Sequence, residues 1–165
     1  IKVLDLPYGK FRDKGQPIDN VSNYDSTQEM VVYMCDELQL RYAKLLFATK
    51  QGMIKKVKGN EFQVAKRTIH QDDELISVQV ITDDQHVVLQ TKDGYFLRFS
   101  AQEVAEKKKA AVGVRGIKLR KNDELEQIYL FYEGTEHKIS YGDRELTLNR
   151  LKVAKRDGIG TKARS

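Results

Sequence analysis

Short runs of hydrophobic residues alternate with polar residues along the chain, and glycine-containing turns separate several of these runs. Two pairs of runs predict β-hairpins, because glycine supplies the positive φ that a tight turn needs. The first pair is residues 45–49 and 53–57 around Gly52, and the second is residues 87–91 and 95–99 around Gly94.

Residues 75–81 and 125–131 form longer apolar runs that suit strands at inner positions. Ser100 and Glu103 have the spacing of a capping box, which predicts one helical turn. No segment has the periodicity of a long amphipathic helix. The pattern therefore predicts an all-β chain.

The hairpin segment repeats along the sequence. Residues 45–54 recur as residues 87–96, and Gly52 and Gly94 are 42 residues apart, as are Glu61 and Glu103. A second marker is an acidic residue followed by Leu or Met at the start of a strand. It occurs at Glu29, Glu74 and Glu124, at spacings of 45 and 50 residues. Compared with the 42-residue period, the longer spacing places about eight extra residues in a Lys- and Gly-rich segment after Val104.

A period of 40 to 50 residues built from strands is typical of propeller-like folds. The prediction is three to four four-stranded blades within a single domain over residues 1–165. The repeat units fall at approximately 1–40, 41–86, 87–135 and 136–165. Since so few blades rarely close a ring, and since the chain begins at Ile1 rather than Met, we expect a portion of a longer protein.

Composition excludes several classes of protein. Hydrophobic residues make up 40% of the 165 residues and charged residues 32%, which fits a folded soluble chain with no membrane span. Cys35 is the single cysteine, so an internal disulfide and a cysteine zinc site are excluded. A free thiol suits a cytoplasmic location.

The charges alternate in blocks along the chain. The net charge is +5, and all 29 Lys and Arg residues lie in residues 1–15, 41–67, 92–121 and 138–165. A repeat fold can turn this alternation into one acidic and one basic surface. The alternative interpretation is that these are ordinary solvated charge runs.

Several segments carry a resemblance to a known family. Residues 45–56, residues 113–119 with 122–125, and residues 146–150 with 155–162 resemble, in order, blades of the C-terminal domain found in the A subunits of DNA gyrase and topoisomerase IV. The resemblance implies a β-pinwheel, a propeller-like domain of five or six blades that exchange strands. It also implies non-sequence-specific binding and bending or wrapping of duplex DNA along a basic outer edge, which supports strand passage and supercoiling.

The hallmark loop of gyrase, Gln-Arg-Arg-Gly-Gly-Lys-Gly, does not occur in this sequence. Degenerate versions occupy residues 11–16, 109–114 and 155–160. Two explanations stay open: the intact loop lies upstream of Ile1, or the parent is a topoisomerase IV.

Lysine and arginine side chains can follow the phosphates of duplex DNA without reading its bases. Residues 107–121 hold seven basic residues and no acid. The predicted DNA-binding residues are Lys10, Arg12, Lys14, Lys55, Lys56, Lys66, Arg67, Arg98, Lys107, Lys108, Lys109, Arg115, Lys118, Arg120, Lys155, Arg156, Lys162 and Arg164.

No catalytic or metal-binding set is predicted within the chain. Tyr42 follows an arginine, as a catalytic topoisomerase tyrosine does, but it precedes a hairpin strand and is assigned to packing or the surface. Residues 72–74 are acidic but lack the spacing of a calcium loop.

The resemblance implies that the parent topoisomerase uses ATP and Mg²⁺, which would bind outside this chain. The predicted partners are duplex DNA, the breakage-reunion domain of the same polypeptide and an ATPase B subunit in an A2B2 assembly. The alternative function is a protein-interaction β-propeller scaffold that makes no contact with DNA.

Overall fold

The computed structural model describes residues 6–62 and 73–163 and divides the chain into two compact units, Ile1–Val31 and Val32–Ser165. The described part of the first unit contains no strand. It has a 3-10 turn at Ile18–Asn20, and local hydrogen bonds hold it, such as that from the Ser26 amide to Asp19 Oδ1 at 2.6 Å.

Strands are the main regular secondary structure of the second unit. It contains the helix α1 (Glu37–Tyr42) and the strands β1 (Lys44–Thr49), β2 (Met53–Lys58), β3 (Leu75–Ile81), β4 (Gln85–Thr91), β5 (Tyr95–Ser100), β6 (Val114–Arg115), β7 (Leu125–Tyr132), β8 (Lys138–Tyr141), β9 (Arg144–Thr147) and β10 (Thr161–Lys162). Three 3-10 turns, Gly59–Phe62, Ala101–Glu103 and Leu148–Arg150, follow β2, β5 and β9. No helix among the described residues is long and apolar enough to cross a membrane.

Two four-stranded antiparallel sheets and one hairpin organise these strands. The first sheet has the order β3-β1-β2-β6, the second has the order β7-β4-β5-β10, and β8 pairs with β9. In each sheet three strands come from one repeat and the fourth, β6 or β10, comes from the next. The all-β prediction and the strand exchange implied by the resemblance are both confirmed.

Both predicted hairpins are present. Gly52 and Gly94 adopt φ of 80° and 81°, and each amide donates to the carbonyl of the threonine three residues earlier, at 2.9 Å. The predicted helical turn also forms, and Ser100 Oγ accepts a hydrogen bond from the Gln102 amide.

The second sheet lies between two hydrophobic clusters. One face of β4 and β5 packs against the first sheet, with Leu46, Ile54, Leu89 and Phe99 fully buried. The other face carries Val88 and Phe96, and side chains of the β8-β9 hairpin pack against it. This burial on both faces explains why all six residues of β4 from His86 to Thr91 are buried.

The two long apolar strands, β3 and β7, each form the end of a sheet and contact each other. Gln79 Nε2 on β3 donates to the carbonyl of Ile128 on β7 at 3.0 Å.

The sequence pattern did not predict the helix α1, because six residues are too few to show helical periodicity. Its N-cap is Asp36, which accepts from the Gln39 amide at 2.7 Å.

Two glycines allow the exchanged strands to approach their hosts. A Cβ atom on Gly113 would lie 2.6 Å from the Ile54 carbonyl oxygen, and one on Gly160 would lie 2.7 Å from that of Phe96. Ile54 and Phe96 are 42 residues apart in the repeat. The same close approach therefore admits β6 to the first sheet and β10 to the second.

The variant Gly160→Ala tests this approach, and Gly134→Ala is its matched control. Both glycines have positive φ, 79° and 84°, but Gly134 has no atom within 4 Å of an added Cβ. We expect Gly134→Ala to lower the free energy of unfolding by about 1 to 2 kcal/mol from backbone strain. Gly160→Ala adds a steric clash and should lower it by about 3 kcal/mol. Equal losses in urea denaturation would contradict the close approach.

Candidate nucleic-acid interface

The predicted DNA-binding residues divide into several structural groups. Lys66, Arg67 and Arg164 lie outside the described residues. Lys10, Arg12 and Lys14 lie in the first unit and are exposed. The remaining twelve belong to the second unit, and they differ greatly in exposure.

Lys56 on β2 is buried, with 4% of its surface exposed. Its ammonium group lies 2.5 Å from Asp83 Oδ1 and 3.4 Å from the carbonyl oxygen of Ala101, in the 3-10 turn after β5. Lys56 therefore links its own repeat to the next one through buried contacts.

Arg98 on β5 occupies the same position in the next repeat, 42 residues later, and is 7% exposed. Its Nη1 donates to the carbonyl oxygens of Asn149 at 2.6 Å and Leu151 at 3.2 Å, and its guanidinium lies 5.3 Å from the centre of the Phe131 ring. Lys56 and Arg98 both bind the 3-10 turn region of the following repeat, and both are buried. We therefore do not include them in the interface.

Lys55 is half-buried and supports the loop that precedes β6. Its Nζ donates to the carbonyls of Lys109 at 2.6 Å and Ala111 at 3.1 Å, and it lies over the Phe47 ring. Burial lowers the pKa of Lys55, and the Glu61 carboxylate partly opposes that shift. Lys55 thus supports the loop backbone through its ammonium group, which is not free to contact DNA.

Two exchange loops, residues 105–113 before β6 and residues 153–160 before β10, have the same anchor. The Glu61 carboxylate accepts the Lys109 amide at 2.6 Å, and the Glu103 carboxylate accepts the Arg156 amide at 2.9 Å. The sequence showed Glu61 and Glu103 at the repeat spacing without indicating a role. Each carboxylate fixes the backbone of an exchange loop in the following repeat. It does so through an amide, so the basic side chains of the loop are not used in this contact.

Lys107 and Lys108 in the first exchange loop and Lys155 in the second are exposed. None of the three makes an ion pair with a described residue. The ammonium of Lys109 lies 5.1 Å from the centre of the Phe62 ring.

Basic residues from the segment after β6 and from β10 meet around Tyr95 on β5. The Arg120 guanidinium lies 4.4 Å from the centre of the Tyr95 ring, and Lys162 Nζ on β10 lies 5.7 Å from it. Lys118 and Lys121 lie beside them. We call this surface the basic groove: Tyr95, Lys118, Arg120, Lys121 and Lys162, with Asp93, Leu119 and Ile159 completing its lining.

The second exchange loop adjoins this groove. The Lys118 amide donates to the Gly158 carbonyl at 2.8 Å, and Arg156 Nη1 donates to the Arg115 carbonyl at 2.5 Å. Arg115 forms an ion pair with Asp157 of the loop. The strand exchange therefore brings Arg115, Arg156 and Lys118 next to one another.

Sequence reasoning missed Tyr95 and Lys121 as members of this surface. Tyr95 looked like an ordinary member of an alternating strand, and no local pattern shows that two cations cover its ring. Lys121 follows Arg120 directly, and its position at the end of the basic segment was the available signal.

Other lysines are bound by carboxylates. Lys44 contacts Asp83 and Glu106, and Lys50 contacts Glu74 and Glu124. Lys138 contacts Glu136 and Glu145 in the same way. The basic groove carries no such pair among the described residues, which leaves its positive charge available to an anion.

The described residues give no support for a catalytic or metal site. Tyr42 is the last residue of α1 and is 80% exposed. Asp72 lies outside the described residues, and no group of three or more His, Cys, Asp or Glu in the described part could hold a metal ion.

The buried role of Arg98 predicts a loss of stability in Arg98→Met, with Arg120→Met as the exposed control. Removing the guanidinium leaves the Asn149 and Leu151 carbonyls without a donor, so we expect a loss of about 2 to 4 kcal/mol. Arg120→Met should change the free energy of unfolding by less than about 0.5 kcal/mol. Urea denaturation of both variants measures the difference, and similar values would contradict the assignment.

The Lys56–Asp83 pair predicts a dependence of stability on pH. Hydrogen bonds from Lys56 and Lys44 hold the pKa of Asp83 below its usual value of about 3.9. The pair therefore stabilises the fold above that value, and the contribution is lost as pH falls through the lowered pKa. Asp83→Asn should flatten the pH profile of urea denaturation between neutral pH and pH 3. Asp84→Asn, at the neighbouring exposed position, should follow the wild-type profile.

The chain matches the family described as DNA gyrase C-terminal domain, beta-propeller, over residues 43–82 and 85–131, which is more than half its length. The DNA gyrase A subunit of Lawsonia intracellularis is 30% identical, over 97% of this chain and 21% of that protein. The corresponding gyrase protein of Chlamydia muridarum is 35% identical over 76% of this chain and 16% of that protein. The chain thus spans about a fifth of such relatives.

Solved structures show the same fold. The C-terminal domain of a DNA topoisomerase IV superposes with a TM-score of 0.81 at 24% identity, over 97% of this chain and 53% of that one. A DNA gyrase A C-terminal domain gives 0.71 at 22% identity, over 90% of this chain and 53% of that one. By its family match, this chain belongs to the DNA gyrase C-terminal β-propeller domain family.

Proposed function

We propose that this chain binds duplex DNA, without base specificity, along the basic groove and the two exchange loops. The observation that carries the proposal is the group of cations around Tyr95, none of which pairs with a carboxylate among the described residues. Phosphates that bind these cations release condensed counterions, which supplies the free energy of binding.

The described residues that we assign to DNA contact are Lys107, Lys108, Lys109, Arg115, Lys118, Arg120, Lys121, Lys155, Arg156 and Lys162. Backbone phosphates are the target because flexible, exposed Lys and Arg side chains position a duplex without reading base edges. Lys10, Arg12 and Lys14 are further candidates, in the first unit.

Strand exchange suits DNA bending because it presents equivalent basic loops at successive positions of the repeat. Bending a site of 20 to 30 base pairs by 40–90° costs on the order of 1 to 6 kcal/mol. Several phosphate contacts, each modest, can offset that cost. We infer that the chain bends DNA for a type II topoisomerase and that its own residues carry none of the cleavage chemistry.

Family membership supports a parent that is the A subunit of a bacterial DNA gyrase or topoisomerase IV. The parent would act in the cytoplasm with a breakage-reunion domain in the same polypeptide and an ATPase B subunit in an A2B2 assembly. ATP and Mg²⁺ would bind in those other parts of the enzyme.

Fluorescence anisotropy with a labelled duplex of about 40 base pairs tests DNA binding. If about six phosphates are contacted, log K plotted against log salt should have a slope near −5, and random and fixed sequences should bind alike. A flat slope, or no binding at low salt, would favour the alternative protein-interaction scaffold.

The variant Lys118→Gln/Arg120→Gln/Lys162→Gln locates the contact. Removal of three phosphate contacts should weaken binding on the order of tenfold or more and make the slope shallower by about 2 to 3. The matched control is Lys44→Gln/Lys50→Gln/Lys138→Gln, which removes the same charge from lysines bound by carboxylates. If both variants lose equal affinity, net charge rather than the groove determines binding. Circular dichroism verifies that both variants fold.

A further inference from the structure

Asp157 is an acidic residue at the centre of basic surroundings. It is the single acid between Arg150 and Arg164, and it lies in the second exchange loop. Its φ of 69° is in the left-handed region, which few residues with a side chain adopt. Contacts around Asp157 hold it in that conformation.

The backbone and the side chain of Asp157 both bind the segment around β6. The Asp157 amide donates to the Gly116 carbonyl at 2.8 Å. Its carboxylate receives Arg115 Nε on one oxygen and Arg115 Nη2 on the other, the latter at 3.0 Å. Both side chains are partly exposed, at 53% for Arg115 and 35% for Asp157, so solvent and ligands can reach the pair.

The two parallel hydrogen bonds have the geometry that a guanidinium uses for a phosphate group. Arg156 Nη1 is held at the Arg115 carbonyl, and the Lys118 amide at the Gly158 carbonyl fixes the other side of the loop. The charges of Arg115, Arg156 and Lys118 all lower the pKa of Asp157, with the hydrogen bond from Arg115 as the largest cause. The carboxylate thus binds Arg115 directly, lies in the positive field of Arg156 and Lys118, and stays charged.

We propose that Arg115, Arg156 and Lys118 form a binding site for one DNA backbone phosphate and that Asp157 occupies this site in the free protein. This inference rests on the proposed DNA-binding function. On binding, the phosphate takes the place of the carboxylate on the Arg115 guanidinium. Asp157 then acts as an intramolecular competitor, which lowers the affinity of the loop and keeps binding reversible.

An ion pair between partly exposed groups contributes little to stability, so the Arg115–Asp157 contact does little for the fold. The contact has a larger effect on anions, because it removes one guanidinium from the surface that is available to them.

The decisive variant is Asp157→Asn, because asparagine keeps the size of the side chain and tolerates left-handed φ. In the 165-residue chain we expect duplex binding to tighten about three- to tenfold and the salt slope to steepen by about 0.9, the value for one added phosphate contact. Asp157→Gly, which suits the left-handed φ without strain, should reproduce the gain if Asp157→Asn folds poorly. Asp84→Asn removes the same charge from the exposed turn between β3 and β4 and should change affinity less than twofold.

A double-mutant cycle with Arg115→Gln separates a specific competitor from a general charge effect. If Asp157 acts through Arg115, then Asp157→Asn should give no added affinity in the Arg115→Gln background. An undiminished gain there, or wild-type affinity in Asp157→Asn, would overturn the proposal while wild-type binding still supported the DNA-binding function. Absence of binding by the wild-type chain would reject the DNA-binding function, and the phosphate site with it.

Discussion

Backbone pairing between repeats is the interaction on which the rest of this structure depends. β6 completes the first sheet and β10 completes the second, and each enters where a glycine lies against a host carbonyl. Without this exchange each sheet would have only three strands, and β2 and β5 would be edge strands. The exchange loops and the basic groove exist because a segment of one repeat must cross to the sheet of another.

Charge has two physical roles in the repeat, and the partners of the charged groups distinguish them. Lys56 and Arg98 direct their charge inward, to carbonyl oxygens of the following unit. Glu61 and Glu103 bind loop amides. These four residues join one repeat to the next, whereas the cations of the groove face outward. A count of basic residues therefore overestimates the number of cations that an anion can reach.

Local signals in the sequence predicted the local structure well. Glycine turns and alternation located both hairpins, because turn geometry and strand burial depend on neighbouring residues. The pairing of β6 and β10 could not come from periodicity, since each strand has two residues and its partner lies far away in sequence; the family resemblance implied it. The burial of Lys56 and Arg98 had a signal in their shared repeat position, but charge alone led to the wrong expectation that they are accessible.

The surface follows from the same constraint as the fold. A loop that crosses between sheets has its backbone fixed by a carboxylate near its middle and by the close approach of a glycine at its end, and exposed side chains such as Lys107, Lys108 and Lys155 extend into solvent. These side chains are thus carried on a backbone that is already ordered. Under the proposed DNA-binding function, less backbone freedom is then lost on binding, so the strand exchange serves the surface as well as joining the sheets. Asp157 lies in a loop whose backbone is held firmly and which, under the proposed DNA-binding function, must also release a phosphate.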